Sequence, residues 1–152
     1  MSVTIYGNGQ VPIQVAQGTI NYTSGVSTSS SSFVTTGLTV SITPKSASNK
    51  VLLFVDGTVY NGSTGVNNLF TIYRNGTNLN GNASPAALCG TYTNGNGVIP
   101  INIVYLDSPA TTSACTYTVY FLTTGGTVQY GFNPGNAGNM ITTITAMEVS
   151  GT

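Results

Sequence analysis

Apolar and polar residues alternate with a period of two along much of this chain, most clearly at Leu38–Thr43. Leu38, Val40 and Ile42 fall on one side and Thr39, Ser41 and Thr43 on the other, as a strand with one buried face demands. Pro44 stops it, and Ser46-Ala47-Ser48-Asn49 reads as a loop. Val51–Tyr60 restarts as a strand, and its Val51-Leu52-Leu53-Phe54-Val55 run is apolar on both faces. Phe70–Arg74 leads into Asn75-Gly76, a pair whose tolerance of positive φ marks a type I′ hairpin turn, with Thr77–Leu79 returning. Val98–Leu106 is the most apolar strand: Ile99, Ile101, Ile103 and Tyr105 share one face, and Val98, Asn102, Val104 and Leu106 share the other. Thr116–Leu122, Thr127–Phe132 after the Thr124-Gly125-Gly126 turn, and Ile141–Val149 complete the set, with shorter strands expected at Ile13–Gln17 and Val3–Tyr6.

Between these strands the expectations are loops. Residues 80–97, rich in Asn and Gly, read as a long surface loop holding at most a short strand near Cys89–Tyr92. Ser27–Ser32 reads as a flexible connector. Asp56-Gly57 reads as a bend within or at the end of a strand, and Asp107-Ser108-Pro109 as an Asx turn that ends one. No segment carries a helical pattern, since Val, Ile, Thr, Tyr and Phe fill the apolar runs while Glu, Lys, Arg and Gln are scarce. The fold class is therefore all-β: a two-sheet antiparallel β-sandwich, jelly-roll-like, with about eight to ten strands and no significant helix. The expected division is an N-terminal arm and first strand over residues 1–17 and a single sandwich domain over 18–152, a size at which one hydrophobic core suffices.

Composition changes this picture mainly through charge. Only 4% of residues are charged, three basic and three acidic, against about 25% in ordinary globular proteins. Disorder does not explain it, because apolar residues recur in regular short runs. A helical membrane span does not either, since no apolar stretch nears the roughly 18–20 residues needed. The solvent face must be built from Ser, Thr, Asn and Gly, which hydrate well but oppose self-association only weakly. Three scattered cations give no footprint for nucleic acid. No secretory leader is recognisable after Met1.

Candidate chemistry is sparse. Histidine is absent, which removes Ser-His-Asp and Cys-His nucleophilic arrangements and the usual zinc sites. Cys89 and Cys115 are compatible with one bridge or two thiols, and reduced thiols are the expectation. Asp56, Asp107 and Glu148 have the chemistry of a glycosidase pair, yet each has a local structural explanation. No catalytic residue, cofactor or metal is expected, and no enzyme. Asn-x-Ser/Thr triplets at Asn21, Asn61, Asn75 and Asn82 fit chance in so Asn-, Ser- and Thr-rich a chain. Tyr60, Tyr73, Tyr92, Tyr105, Tyr117, Tyr120 and Tyr130 are the candidates for stacking on sugars, against the plainer expectation that they sit at sheet rims or subunit contacts.

Three stretches then become familiar: Phe33–Pro44 continuing through Ser46–Leu52, Tyr105-Leu106-Asp107-Ser108-Pro109 followed by Thr116-Tyr117, and Ile144–Val149. With Ile13-Gln14-Val15, they resemble small virion proteins of tailed bacteriophages, notably those infecting cyanobacteria and other aquatic bacteria. The resemblance implies a jelly-roll-like module that forms homotrimers, found as capsid decoration (cement) proteins, head fibres and tail-fibre tips, with no catalytic residues to carry over. A module starting about a dozen residues after Met1 suits a shell-decorating protein better than a fibre tip. The resulting expectation is a trimeric cement protein on the exterior of the virion, made in the host cytoplasm, touching the major capsid protein or another virion protein, with neither nucleic acid nor membrane as partner. The alternative is a head- or tail-fibre tip that recognises host surface glycans. Apolar residues left on the second face of their strands, or in the N-terminal arm, are the expected subunit or capsid interface: Val3, Ile5, Val11, Ile13, Val15, Val98, Val104 and Leu106.

Overall fold

The computed structural model describes residues 13–21, 25–81, 85–134 and 138–151. Among them the strands are β1 (Gln14–Asn21), β2 (Val26–Thr28), β3 (Val34–Ile42), β4 (Lys50–Asn61), β5 (Thr64–Arg74), β6 (Thr77–Asn78), β7 (Cys89–Asn94), β8 (Val98–Asp107), β9 (Cys115–Thr123), β10 (Val128–Tyr130), β11 (Phe132–Asn133), β12 (Gly138–Asn139) and β13 (Ile141–Val149). Eight of these have six or more residues, and they carry the fold.

Those eight form two antiparallel sheets. Sheet A runs β1-β13-β4-β8 and sheet B runs β3-β9-β5-β7. Numbered among themselves in chain order, the long strands read 1-8-3-6 and 2-7-4-5, so successive strands mostly cross between sheets. That is the arrangement of a jelly roll, in which two Greek keys fold onto one another. The short β10 and β2 extend sheet A beyond the far end of β4, and β6 closes the hairpin at the end of β5.

Alternation does what the sequence pattern demands. The inward row of β3 (Leu38, Val40, Ile42) meets the inward rows of β4, β9 and β13 in a core with no exposed side chains. At its centre Phe70 and Phe121 of sheet B pack on Tyr130 of sheet A, with ring centroids 5.6–6.4 Å apart. Tyr130 lies across β4 at Gly57, where an added Cβ would stand 2.5–2.7 Å from its phenol end. Gly57 is therefore a seat for a ring within β4, which continues as a strand through Asp56-Gly57. At the β5–β6 hairpin, Asn75 (φ 48°) and Gly76 (φ 85°) both adopt the left-handed conformation of a type I′ turn.

The short strand expected near Cys89–Tyr92 is present as β7, two residues longer and paired along β5. Two further expectations are corrected. The supposed flexible connector begins as β2, paired with β10, and Ser30 continues it by accepting a hydrogen bond from the Thr123 amide at 3.0 Å. Tyr117 and Tyr130, expected at sheet rims, are fully buried in the core. In each case a long-range partner overrides a weak local preference.

Candidate functional site

The outer face of sheet A carries the feature that stands out. Strand register sets Val15 beside Met147, Met147 beside Leu52, and Leu52 beside Leu106, so one apolar row crosses all four long strands. The next row continues through Phe54 and Val104 before turning polar at Thr145 and Gln17. Ile13 joins at the end of the face, where its amide donates to the Glu148 carbonyl at 3.0 Å. Exposure is 44% for Ile13, 57% for Val15, 39% for Phe54, 65% for Val104 and 49% for Leu106. Only Tyr92 and Ile141 are comparably exposed large apolar residues elsewhere among the described residues. Scattered singly, such residues need no explanation; gathered in adjoining rows, they form a candidate contact surface.

Of the eight interface candidates, the structure brings together Ile13, Val15, Val104 and Leu106. Val98 is half-buried and lies apart, paired with Tyr60 at the other end of β8. Val3, Ile5 and Val11 lie outside the described residues. Leu52, Phe54 and Met147, which complete the patch, were not among the candidates. Their signal was present in the doubly apolar Val51–Val55 run and in Met147 opposing Glu148, but only the register shows that they meet.

Beneath this patch lies the charged end of the sandwich. Glu148 and Asp107 point inward from β13 and β8 on either side of Val51. Glu148 is fully buried and accepts hydrogen bonds from the Asn49 amide (2.6 Å), the Lys45 N–H (2.7 Å) and the Gln14 amide (2.6 Å). Burial alone raises the pKa of such a carboxyl. Here the hydrogen bonds from Asn49, Lys45 and Gln14, with the Lys45 charge, outweigh it and hold Glu148 below the ordinary carboxylate range. Asp107 does not form the expected Asx turn, since Pro109, two residues on, has no N–H to donate. Arg74 Nη1 donates to both its oxygens at 2.7 Å, and the Tyr117 hydroxyl donates to Oδ2 at 2.7 Å. Burial first, and then the bond to Asp107, push the Tyr117 phenol far up, so it stays a donor at any physiological pH. Burial likewise raises the thiols of Cys89 and Cys115, both free.

Asp56 sits apart on the outer face of β4, accepting from the Asn102 amide at 3.0 Å. The three carboxylates thus present no accessible acid–base pair: two are buried with their oxygens engaged, and the third faces away from them. No group of three or more His, Cys, Asp or Glu among the described residues is placed to hold a metal ion. Asn61, at the far end of β4, is fully buried. Its amide donates to Asn68 Oδ1 (2.9 Å), Thr123 Oγ1 (3.2 Å) and the Gly125 carbonyl (3.1 Å), so this triplet asparagine is a structural knot with no access for a glycan.

No protein-family model matches the chain, and no curated protein does. Among solved structures, it is similar to that of the infectious bursal disease virus Gt strain, at 14% identity and TM-score 0.44, over 99% of this chain and 43% of that one. It is similar to the VP2 subviral particle of infectious bursal disease virus at 14% identity and TM-score 0.44, over 99% of this chain and 42% of that one. The T13 particle of that virus gives 13% identity and TM-score 0.45, over 97% and 40%. The chain spans about two fifths of the length of these chains, and its jelly-roll assignment rests on its own strand order.

Proposed function

We propose that this chain is a non-enzymatic structural subunit of a virus particle, a homotrimeric decoration protein that binds the outside of a capsid and stabilises it. The observation that carries the reading is the apolar row Val15–Met147–Leu52–Leu106 with Phe54 and Val104 beside it, left uncovered by the described residues on the outer face of sheet A. A neighbouring copy closing a ring is the usual cover for such a face. The few surface charges make the contact cheap to dehydrate. The resemblance of Phe33–Leu52, Tyr105–Tyr117 and Ile144–Val149 to small tailed-phage virion proteins supplies the virion and the threefold symmetry. An N-terminal arm reaching from Ile13 to a neighbour, with Val3, Ile5 and Val11 as its apolar contacts, belongs to the same proposal.

The test is sedimentation or light scattering on the purified chain, followed by heating of particles with and without it. A trimer that dissociates on Leu106→Glu, and shells that lose heat resistance without the protein, are the expected results. A monomer at all concentrations, or shells of equal resistance, overturns the reading. A second reading, a fibre tip that holds host glycans, is favoured by the half-buried and exposed tyrosines of sheet B and shares the same fold.

A further inference from the structure

On the outer face of sheet B, opposite the apolar patch, a groove of about 430 Å³ lies between two short walls. Ser31, Ser32 and Phe33 form one wall, Pro85 and Ala86 the other, and Tyr73 and Leu122 contribute the floor. From these residues we infer that the groove is a binding site for a neutral saccharide. The inference does not depend on the assembly reading, whose surface lies on the other sheet; it gives the glycan-holding alternative a location and a ligand class.

Both walls are pinned. Asn78 donates from its amide to the Ala86 carbonyl at 2.9 Å, while its oxygen accepts from the Thr71 hydroxyl (2.7 Å) and the Asn80 N–H (3.0 Å). The Asn80 amide holds the Ala87 carbonyl at 2.7 Å, and the Leu88 N–H donates to the Phe70 carbonyl at 2.8 Å. Across the groove, the Ser30 hydroxyl donates to the Ser32 carbonyl (2.8 Å) and accepts from the Ser32 N–H (3.0 Å). The floor is fixed as well: Tyr73 stacks on Tyr120 with centroids 4.0 Å apart, and Phe33 stands edge-on to Tyr73 at 6.4 Å. A site whose walls and floor are already ordered loses little entropy on binding, and its volume lies within the roughly 300–1,000 Å³ of small-molecule sites.

The chemistry selects the ligand. Ser31, Ser32 and Tyr73 line the groove, and their hydroxyls have no hydrogen-bond partner among the described residues. Hydroxyls both donate and accept, matching the hydroxyls of a sugar, while aromatic rings offer a flat apolar surface to its C–H face. A peptide backbone is held best by a row of free amide donors and carbonyl acceptors, whereas this groove is lined by hydroxyl-bearing and aromatic side chains. No lining residue is charged, so an acidic sugar or a phosphate finds no counter-ion there.

The experiment is an amide-resolved NMR titration of the whole chain with maltohexaose, cellohexaose, laminarihexaose and galactan fragments. Oligogalacturonate and a proline-rich decapeptide serve as competitors in class. The expected result is saturable shifts at residues 31–33, 73, 86 and 122 with one neutral sugar, at a Kd of about 1 mM or tighter. Tyr73→Ala should weaken binding at least about tenfold, and Ala86→Arg, which fills the groove and leaves the ring in place, should do the same. Tyr92→Ala, exposed on sheet B outside the groove, should change it less than about twofold. The inference is overturned if no neutral sugar binds, if shifts map elsewhere, if the acidic sugar or the peptide binds more tightly, or if Ala86→Arg leaves affinity intact. The solution mass, measured in parallel, reports on the assembly reading alone.

Discussion

The two outer faces of this sandwich solve the same problem in opposite ways. Sheet B finishes its own surface. The Ser41 and Thr116 hydroxyls meet at 2.8 Å, those of Thr39 and Thr118 at 3.2 Å, Tyr73 and Tyr120 stack, and the Ser30–Phe33 segment folds over the face. Sheet A stops short, leaving Val15, Phe54, Val104 and Leu106 open to water at one end, while a polar row of Thr143, Asp56 and Asn102 separates them from the lone exposed Ile141 at the other. Both sheets bury the same core, so the difference is not one of folding. It separates a surface closed largely by its own side chains from one left apolar and open, the face that the proposed assembly would cover.

Substitution can break that contrast. The double change Val104→Glu with Leu106→Glu is expected to lower the association constant by at least about a thousandfold, roughly 4 kcal/mol. Monomer stability should shift by no more than about 0.5 kcal/mol, as at ordinary exposed sites. Thr118→Glu, its counterpart on sheet B, should leave the mass measured by sedimentation unchanged. Loss of assembly from Thr118→Glu instead would reverse the assignment of faces.

Interior changes should ignore the distinction. Asp107→Asn leaves Arg74 without its counter-charge and is expected to cost about 2–3 kcal/mol by urea unfolding. That is less than the roughly 3–5 kcal/mol of a fully buried pair, because the guanidinium keeps contact with water. Acid sharpens the point through Glu148. Its folded-state pKa lies below its ordinary value of 4.5, so it adds stability that is complete above that value and is lost as pH falls through the folded pKa. Unfolding midpoints should therefore hold through neutral pH and decline only below about 4.5; a midpoint insensitive to acid down to pH 2 would contradict the hydrogen-bonded carboxylate. The smallest effect is expected from Tyr120→Ala, which removes one stacked ring at a cost of about 1 kcal/mol in thermal unfolding without altering the mass.

Local pattern carried much of this architecture. The alternation at Leu38–Ile42, the Asn75-Gly76 turn, and the double-sided apolarity of Val51–Val55 and Val98–Leu106 all appear in the structure where the chain implies them. What could not be read was pairing between distant residues. Leu52 and Leu106 become neighbours only through a register linking residues far apart in the chain. Asp107 before Ser-Pro resembles a turn residue until Arg74 and Tyr117 converge on it. Cys89–Asn94 carries strand formers in Thr91-Tyr92-Thr93, but that it pairs along β5 is not in the local pattern. The groove on sheet B was invisible for the same reason, since its walls come from residues 31–33 and 85–86, more than fifty positions apart.

Five of the six charged side chains, Lys45, Lys50, Arg74, Asp107 and Glu148, gather at one end of the sandwich, where Asp107 and Glu148 are engaged internally. Contacts made through Leu52, Val104 and Leu106 are apolar, with Lys50 as their charged neighbour on the same face of β4, so salt should change them only to the small extent that it screens that one side chain. They should respond instead to temperature in the direction of water release, loosening as the solution is chilled. Cold, rather than brine, is the condition under which copies of this chain should come apart.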